Sequence, residues 1–158
     1  MDTPEPEKAD VTGAEQIGLG RTIRTLFVSS RPISWVNTAF PFAAAYLLAT
    51  REIDVVLIVG TIFFLIPYNL AMYGINDVFD YESDMRNPRK GGAHGAVLDR
   101  RLHPVTLWAA GLACLPFVVF LVSVGGPLSW LVLAFSLFFV VFYSAPPLRL
   151  KEVPFADS

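Results

Sequence analysis

The densest chemistry in the chain lies in one short run, Asn76-Asp77-Val78-Phe79-Asp80-Tyr81-Glu82-Ser83-Asp84. If this run is helical, each residue turns by about 100°, so Asp77, Asp80 and Asp84 share an arc of roughly 60° while Glu82 points away. Like charges at these spacings repel and weaken a helix. They call for a compensating cation, and hard carboxylate oxygens suit Mg2+, which prefers to share carboxylates with a substrate phosphate. The pattern therefore implies a metal and a phosphorylated ligand together. The alternative is a set of ordinary acids at a helix end, and spacing alone leaves that open. The same face continues through Tyr73 and Asn69, each about one turn earlier, and polar groups inside a membrane face a bundle interior or a cavity. Asn37, in the preceding apolar stretch, is placed to contribute from across the bundle.

Opposite charge follows at once. Arg86, Arg89 and Lys90 precede Gly91-Gly92. Such residues can hold phosphate oxygens and let backbone approach a ligand, although basic loops on one side of a membrane are expected in any case. A second basic constellation is Tyr143-Ser144-Ala145-Pro146-Pro147-Leu148-Arg149-Leu150-Lys151. Its prolines end a helix and favour an extended continuation, on which Arg149 and Lys151 would point the same way. They could clamp a diphosphate or anchor the chain at a bilayer surface. His94 and His103 lack metal-ligand spacing and read as loop residues.

The elements that position these groups follow from charge and hydropathy. The 158 residues are 54% hydrophobic and 16% charged, with a net charge of −2, so nucleic acid is not an expected partner. No Asp, Glu, Lys or Arg occurs in 33–50, 55–75 or 102–148. A bilayer core needs about 20 apolar residues per helix. The third stretch is long enough for two, divided at Gly125-Gly126-Pro127. The expectation is an all-α, polytopic transmembrane bundle with four crossings, at about 33–50, 55–80, 104–124 and 127–145. Basic residues gather before the first crossing, between the second and third, and after the fourth, which puts the N-terminus and the carboxylate loop on the cytoplasmic side. Residues 1–16 read as a disordered tail and 17–31 as an interfacial amphipathic segment. Cys114, the single cysteine, reads as a buried and inert thiol.

Taken together, the two constellations resemble the UbiA-type superfamily of intramembrane prenyltransferases. Asn76, Asp77, Asp80 and Asp84 match its first Asn-Asp-x-x-Asp-x-x-x-Asp motif, and 143–151 match its Tyr-Ser-x-Pro-Pro-x-Arg-x-Lys stretch. The resemblance runs from about Arg31 onward. It implies a bundle of about nine crossings with a central cavity, of which 32–158 would be the N-terminal part. It makes Asp77 and Asp80 catalytic, Asp77, Asp80 and Asp84 ligands to Mg2+, and Asn76 their support. Arg86, Arg89, Lys90, Arg149 and Lys151 become diphosphate contacts, with Tyr143 nearby. The family's second aspartate motif is missing, which suggests a fragment that is inactive alone.

Among subfamilies, 76–92 and 143–158 most resemble bacterial lycopene elongases, which build C50 carotenoids. The implied partners are an allylic isoprenyl diphosphate, a lipophilic acceptor and the bilayer of a bacterial plasma membrane. A quinone-ring precursor or chlorophyllide stays open as acceptor. Two readings from other classes also remain. A cation transporter would set charge near the midplane, whereas these acids lie at helix ends. A non-catalytic membrane scaffold would bind no diphosphate.

Overall fold

A computed structural model describes residues 18–86 and 98–153, and all their regular structure is helical. Helix α1 (Leu19–Ser29) leads through a 3-10 turn (Pro32–Ser34) into α2 (Trp35–Thr50). Next come α3 (Val55–Leu65), α4 (Pro67–Phe79) and the short α5 (Tyr81–Met85). A 3-10 turn (Arg100–Leu102) opens α6 (His103–Val124), followed by α7 (Pro127–Phe142) and a last 3-10 turn (Leu150–Glu152). Two helical stretches are long and apolar enough to cross a membrane, Val55–Phe79 and Arg100–Val124. Helices α2 and α7 have 16 residues each, which at 1.5 Å per residue span about 24 Å. His103 is the first residue of α6 rather than a loop residue, with its ring against Tyr81. His94 lies outside the described residues.

Helix α4 is the hub. It packs along α6 and also touches α1, α3 and α7, while α2 pairs with α3. The core joins Phe63, Leu70, Ala71, Ala110, Cys114 and Val140. Small residues permit the close approach, since a side chain at Gly74 would meet Thr106 Cγ2 at 3.0 Å and one at Gly60 would strike the Phe42 ring. On α6, by contrast, Trp108, Leu112 and Leu115 are exposed. Apolar faces turned outward suit a lipid or helical surround, not water. Helix α1 likewise exposes Leu19, Ile23 and Phe27, four residues apart on one face, as an interfacial helix requires.

The expected single helix over 55–80 is broken once. Pro67 cannot donate to the i−4 carbonyl, so Ile66 departs to φ −116° and the helix bends between α3 and α4. Asn69 repairs the break. Its Nδ2 donates to the carbonyls of Phe64 and Leu65 at 2.8 and 2.9 Å and to Thr38 Oγ1 at 2.7 Å. Thr38 Oγ1 also lies 2.7 Å from the Phe64 carbonyl, and Cys114 Sγ donates to the Pro67 carbonyl. Asn69 is therefore committed to the bend and not to the cavity. Asn37 is exposed, and its neighbour Thr38 makes the inter-helix contact instead.

Candidate functional site

The carboxylates sit where α4 ends. Asp77 is in its last turn and buried, while Asp80 leaves helical geometry at φ −96°, ψ 3°. The backbone recovers directly, because Asp84 N–H donates to the Asp80 carbonyl at 2.8 Å. All three aspartates thus stay at one end, but on two short helices joined at Asp80 rather than on one continuous helix. Asp84 is buried, whereas Glu82 turns outward to Arg100.

Cations from distant sequence meet this end. Arg31 Nη2 lies 3.2 Å from Asp77 Oδ1, and its guanidinium stacks 4.3 Å from the centre of the Tyr73 ring. Lys151 Nζ contacts Asp80 Oδ1 directly. Arg149 Nη2 stands 4.0 Å from the same oxygen and 3.4 Å from the Phe79 carbonyl. Ser144 extends the network, donating to Asn76 Oδ1 at 2.7 Å while Lys151 approaches its Oγ at 3.4 Å. Burial pushes the Lys151 pKa down, opposed by the nearby Glu152 carboxylate. The Nε–H groups of Arg31 and Arg149 are buried with no acceptor among the described residues. Buried donors of this kind are rare and suit an incoming anion.

Both arginines hold unusual backbone. Arg31 has φ 49° and Arg149 φ 40°, left-handed values that cost about 1–2 kcal/mol in a non-glycine residue. Each marks a sharp change of direction, from α1 into the turn before α2 and from the Pro-Pro segment into the last 3-10 turn. The expected extended segment through Arg149 and Lys151 is therefore a turn. Lys151 N–H bonds back to the Tyr143 carbonyl at 3.2 Å, and this fold-back aims both cations at Asp80.

A cavity of about 470 Å³ opens beside these groups, lined by Arg31, Tyr73, Asn76 and Tyr143 at its charged side and by Met72 and Phe139 among its apolar walls. Tyr73, Asn76 and Tyr143 thus come together as expected, while Asn69 does not join them. Arg86 is exposed beyond Asp84, and Arg89 and Lys90 lie outside the described residues. Arg31 and Ser144 are site residues that sequence reasoning missed. In the sequence Arg31 counts only as an orientation charge, and its one signal is the Arg-Pro step at the entry of the first crossing.

Among the described residues no three acidic, histidine or cysteine side chains converge tightly enough to enclose a metal. The donor chemistry nevertheless fits Mg2+, which takes one or two carboxylates and completes its shell with water and substrate phosphate. Asp77 and Asp80 supply such oxygens beside a cavity rich in anion donors.

Comparison with known proteins identifies the family. The chain is 60% identical over 98% of its length to the C(50) beta-cyclic carotenoids biosynthesis protein LbtBC of Dietzia sp., covering 36% of that protein. It is 59% identical over 86% of its length to the lycopene elongase/hydratase of Corynebacterium glutamicum and 35% identical over 89% to that of Haloferax volcanii, covering 47% of each. The chain thus spans about half or less of these relatives. No solved structure shows a significant match. The UbiA prenyltransferase family matches residues 38–158, which hold the aspartates, Ser144, Arg149 and Lys151, and the chain belongs to that family.

Proposed function

We propose that the protein is a membrane prenyltransferase that moves an isoprenyl group from an allylic diphosphate to a lipophilic acceptor, with lycopene as that acceptor. The observation that carries this reading is the convergence of Asp77 and Asp80 with Arg31, Arg149 and Lys151 beside an apolar-walled cavity. The names of the relatives supply the acceptor. Asp77, Asp80 and Asp84 are the residues that would hold Mg2+, which supplies positive charge against the departing diphosphate.

Arg31, Arg149 and Lys151, with Arg86, Arg89 and Lys90 that follow the aspartates in the sequence, bind the diphosphate oxygens as negative charge grows on them, where fixed cations act most strongly. Asn76 is fixed by Ser144 and orients the neighbouring carboxylates. Tyr73 and Tyr143 line the cavity and shield the allylic cation from water, each aromatic face being worth about 0.5–2 kcal/mol. An electron-rich carbon of the acceptor attacks that cation, and the new cation loses a proton or captures water. The protein works in a bacterial plasma membrane with four crossings in this part, its N-terminus and carboxylate loop on the cytoplasmic side.

Membranes containing the full-length protein, dimethylallyl diphosphate and lycopene test the reading. A product heavier by prenyl units should form with Mg2+ and vanish with EDTA, and Asp77→Asn or Asp80→Asn should lower turnover by at least about 100-fold. Wild-type turnover in either variant would overturn the assignment. Prenylation of a quinone precursor or chlorophyllide, but not lycopene, would keep the chemistry and discard the acceptor.

A further inference from the structure

A second cavity, of about 590 Å³, lies at the other end of the bundle, walled by Phe42, Phe64, Leu121 and Leu133 and ending at Gly125 and Gly126. A hydrogen bond links its wall to that of the cavity beside the aspartates. Tyr68 lines the first cavity, Ser136 lines the second, and their hydroxyls are 2.7 Å apart. Phe64 backs the pair, its ring centre 5.1 Å from that of Tyr68. The pair sits mid-way along Val55–Phe79 and within α7, where hydroxyls are expected to face each other or a cavity rather than lipid.

We propose that the Tyr68–Ser136 hydrogen bond is a latch between two compartments of one acceptor channel, and that the second cavity receives the distal part of a long, extended hydrocarbon acceptor. The inference rests on the prenyltransferase reading and adds where the acceptor body lies. Length supports it. Along α4, Asn76 to Tyr68 rises about 12 Å, and along α7, Ser136 to Gly126 rises about 15 Å. Together these approach the roughly 30 Å of a bilayer core. The first cavity alone adjoins the diphosphate site and must also hold the donor chain. An acceptor that reacts at its end beside the aspartates has to run its remaining length away from them, and the second cavity offers apolar space in that direction, past Tyr68 and Ser136. Neither hydroxyl touches the carboxylate network, so opening the latch leaves diphosphate binding undisturbed.

Plugging the channel tests this in the full-length protein. A Cβ at Gly126 meets nothing within 4 Å, and its φ of −106° is open to any residue, so Gly126→Trp adds bulk at the far end of the cavity that Gly126 lines. Ser136→Phe blocks the passage itself, and Tyr68→Phe removes the latch while keeping the ring. The acceptors are lycopene and an acyclic polyene of half its length with the same end group, with dimethylallyl diphosphate and Mg2+. Gly126→Trp and Ser136→Phe should lower kcat/KM for lycopene at least 10-fold. The half-length polyene and the Kd for a thiolodiphosphate donor analogue should stay within twofold. Tyr68→Phe should raise the preference for lycopene over the short polyene several-fold. Equal effects on both acceptors, or no change in acceptor preference in any variant, would overturn the channel. Failure of the wild type to bind the donor analogue or prenylate either polyene would instead overturn the prenyltransferase reading.

Discussion

Lys151→Met separates the two tasks assigned to the basic residues. In the structure Lys151 is spent on Asp80, with side chains only 15% and 17% exposed, and Arg149 at 4.0 Å is the other cation near that carboxylate among the described residues. A diphosphate that draws Lys151 away gains a charge-assisted hydrogen bond worth about 1.5–3 kcal/mol. Its loss should weaken donor affinity by about 10- to 150-fold. Metal binding should move the opposite way. In wild type Mg2+ must compete with the ammonium for Asp80, an attraction of order 4 kcal/mol at 4 Å and intermediate dielectric, much of it offset by desolvation. Without that competitor, Mg2+ should bind the donor-free protein several-fold more tightly. Titration calorimetry of the detergent-solubilised full-length protein, with Mg2+ and a thiolodiphosphate analogue added in either order, reads both. A pH series adds a check on sign. Burial lowers the Lys151 pKa, so the cation is lost as pH rises through a value below the ordinary 10.5. Wild-type donor affinity should fall there, and Lys151→Met should lack that step. If metal and donor affinities weaken together, Lys151 holds the fold of the site and not its ligands.

Asn69→Leu should behave as a lesion of the bend. It removes a donor from the Phe64 and Leu65 carbonyls, of which Phe64 keeps Thr38, and breaks the bond to Thr38. Membrane hydrogen bonds average well below their expected worth, so a loss of about 1–3 kcal/mol in thermal or denaturant stability is expected, with donor Kd within twofold. A selective loss of donor binding at full stability would return Asn69 to the substrate site. At the opposite end Asp54 caps α3, accepting from Leu57 N–H at 2.9 Å and from the Tyr46 hydroxyl at 2.7 Å. These bonds hold its pKa below the ordinary 3.8, the Leu57 amide being the largest cause. Its stabilisation is therefore present above about pH 4 and lost as pH falls through the lowered value. Acid unfolding followed by tryptophan fluorescence should show this loss in wild type and a flatter profile in Asp54→Ala, and identical profiles would mean that the cap contributes nothing.

Helices and site differ in how far they can be read from the residues. Uncharged stretches and the Gly-Gly-Pro turn locate α2, the α3–α4 pair, α6 and α7 within a few residues, because a helix length without charge is rare outside a bilayer or a buried core. The spacing of Asp77, Asp80 and Asp84 brings them to one end of the bundle, although they lie across the junction of α4 and α5 and not on one helix. Long-range partners are not legible. Only the following proline distinguishes Arg31 from Arg21 or Arg24, and its pairing with Asp77 depends on α1 packing against α4. The expectation of one helix over 55–80 misses both the bend at Pro67 and its repair by Asn69. A polar stripe toward the midplane reads as a cavity wall, and at Asn69 the polarity instead serves backbone that a proline leaves unbonded.

The aspartates themselves show the same difference. Repulsion among aligned carboxylates calls for a cation, but the folded chain supplies its own compensation, Arg31 for Asp77 and Lys151 for Asp80. Carboxylate clustering alone therefore no longer requires Mg2+, and the cations become the informative groups. Arg31 and Arg149 occupy costly left-handed backbone and keep a buried N–H without an acceptor among the described residues, although ordinary ion pairs would need neither. Such groups suit a role in which they exchange partners. When an anion of higher charge enters, arginines and lysine can turn to it and release carboxylates to a metal that arrives with it. On that reading donor and metal should bind cooperatively, each clearing the other's ligands. Reciprocal tightening of Mg2+ by the donor analogue, and of the analogue by Mg2+, by the same factor is what linkage requires of that arrangement, and Lys151→Met should reduce that factor.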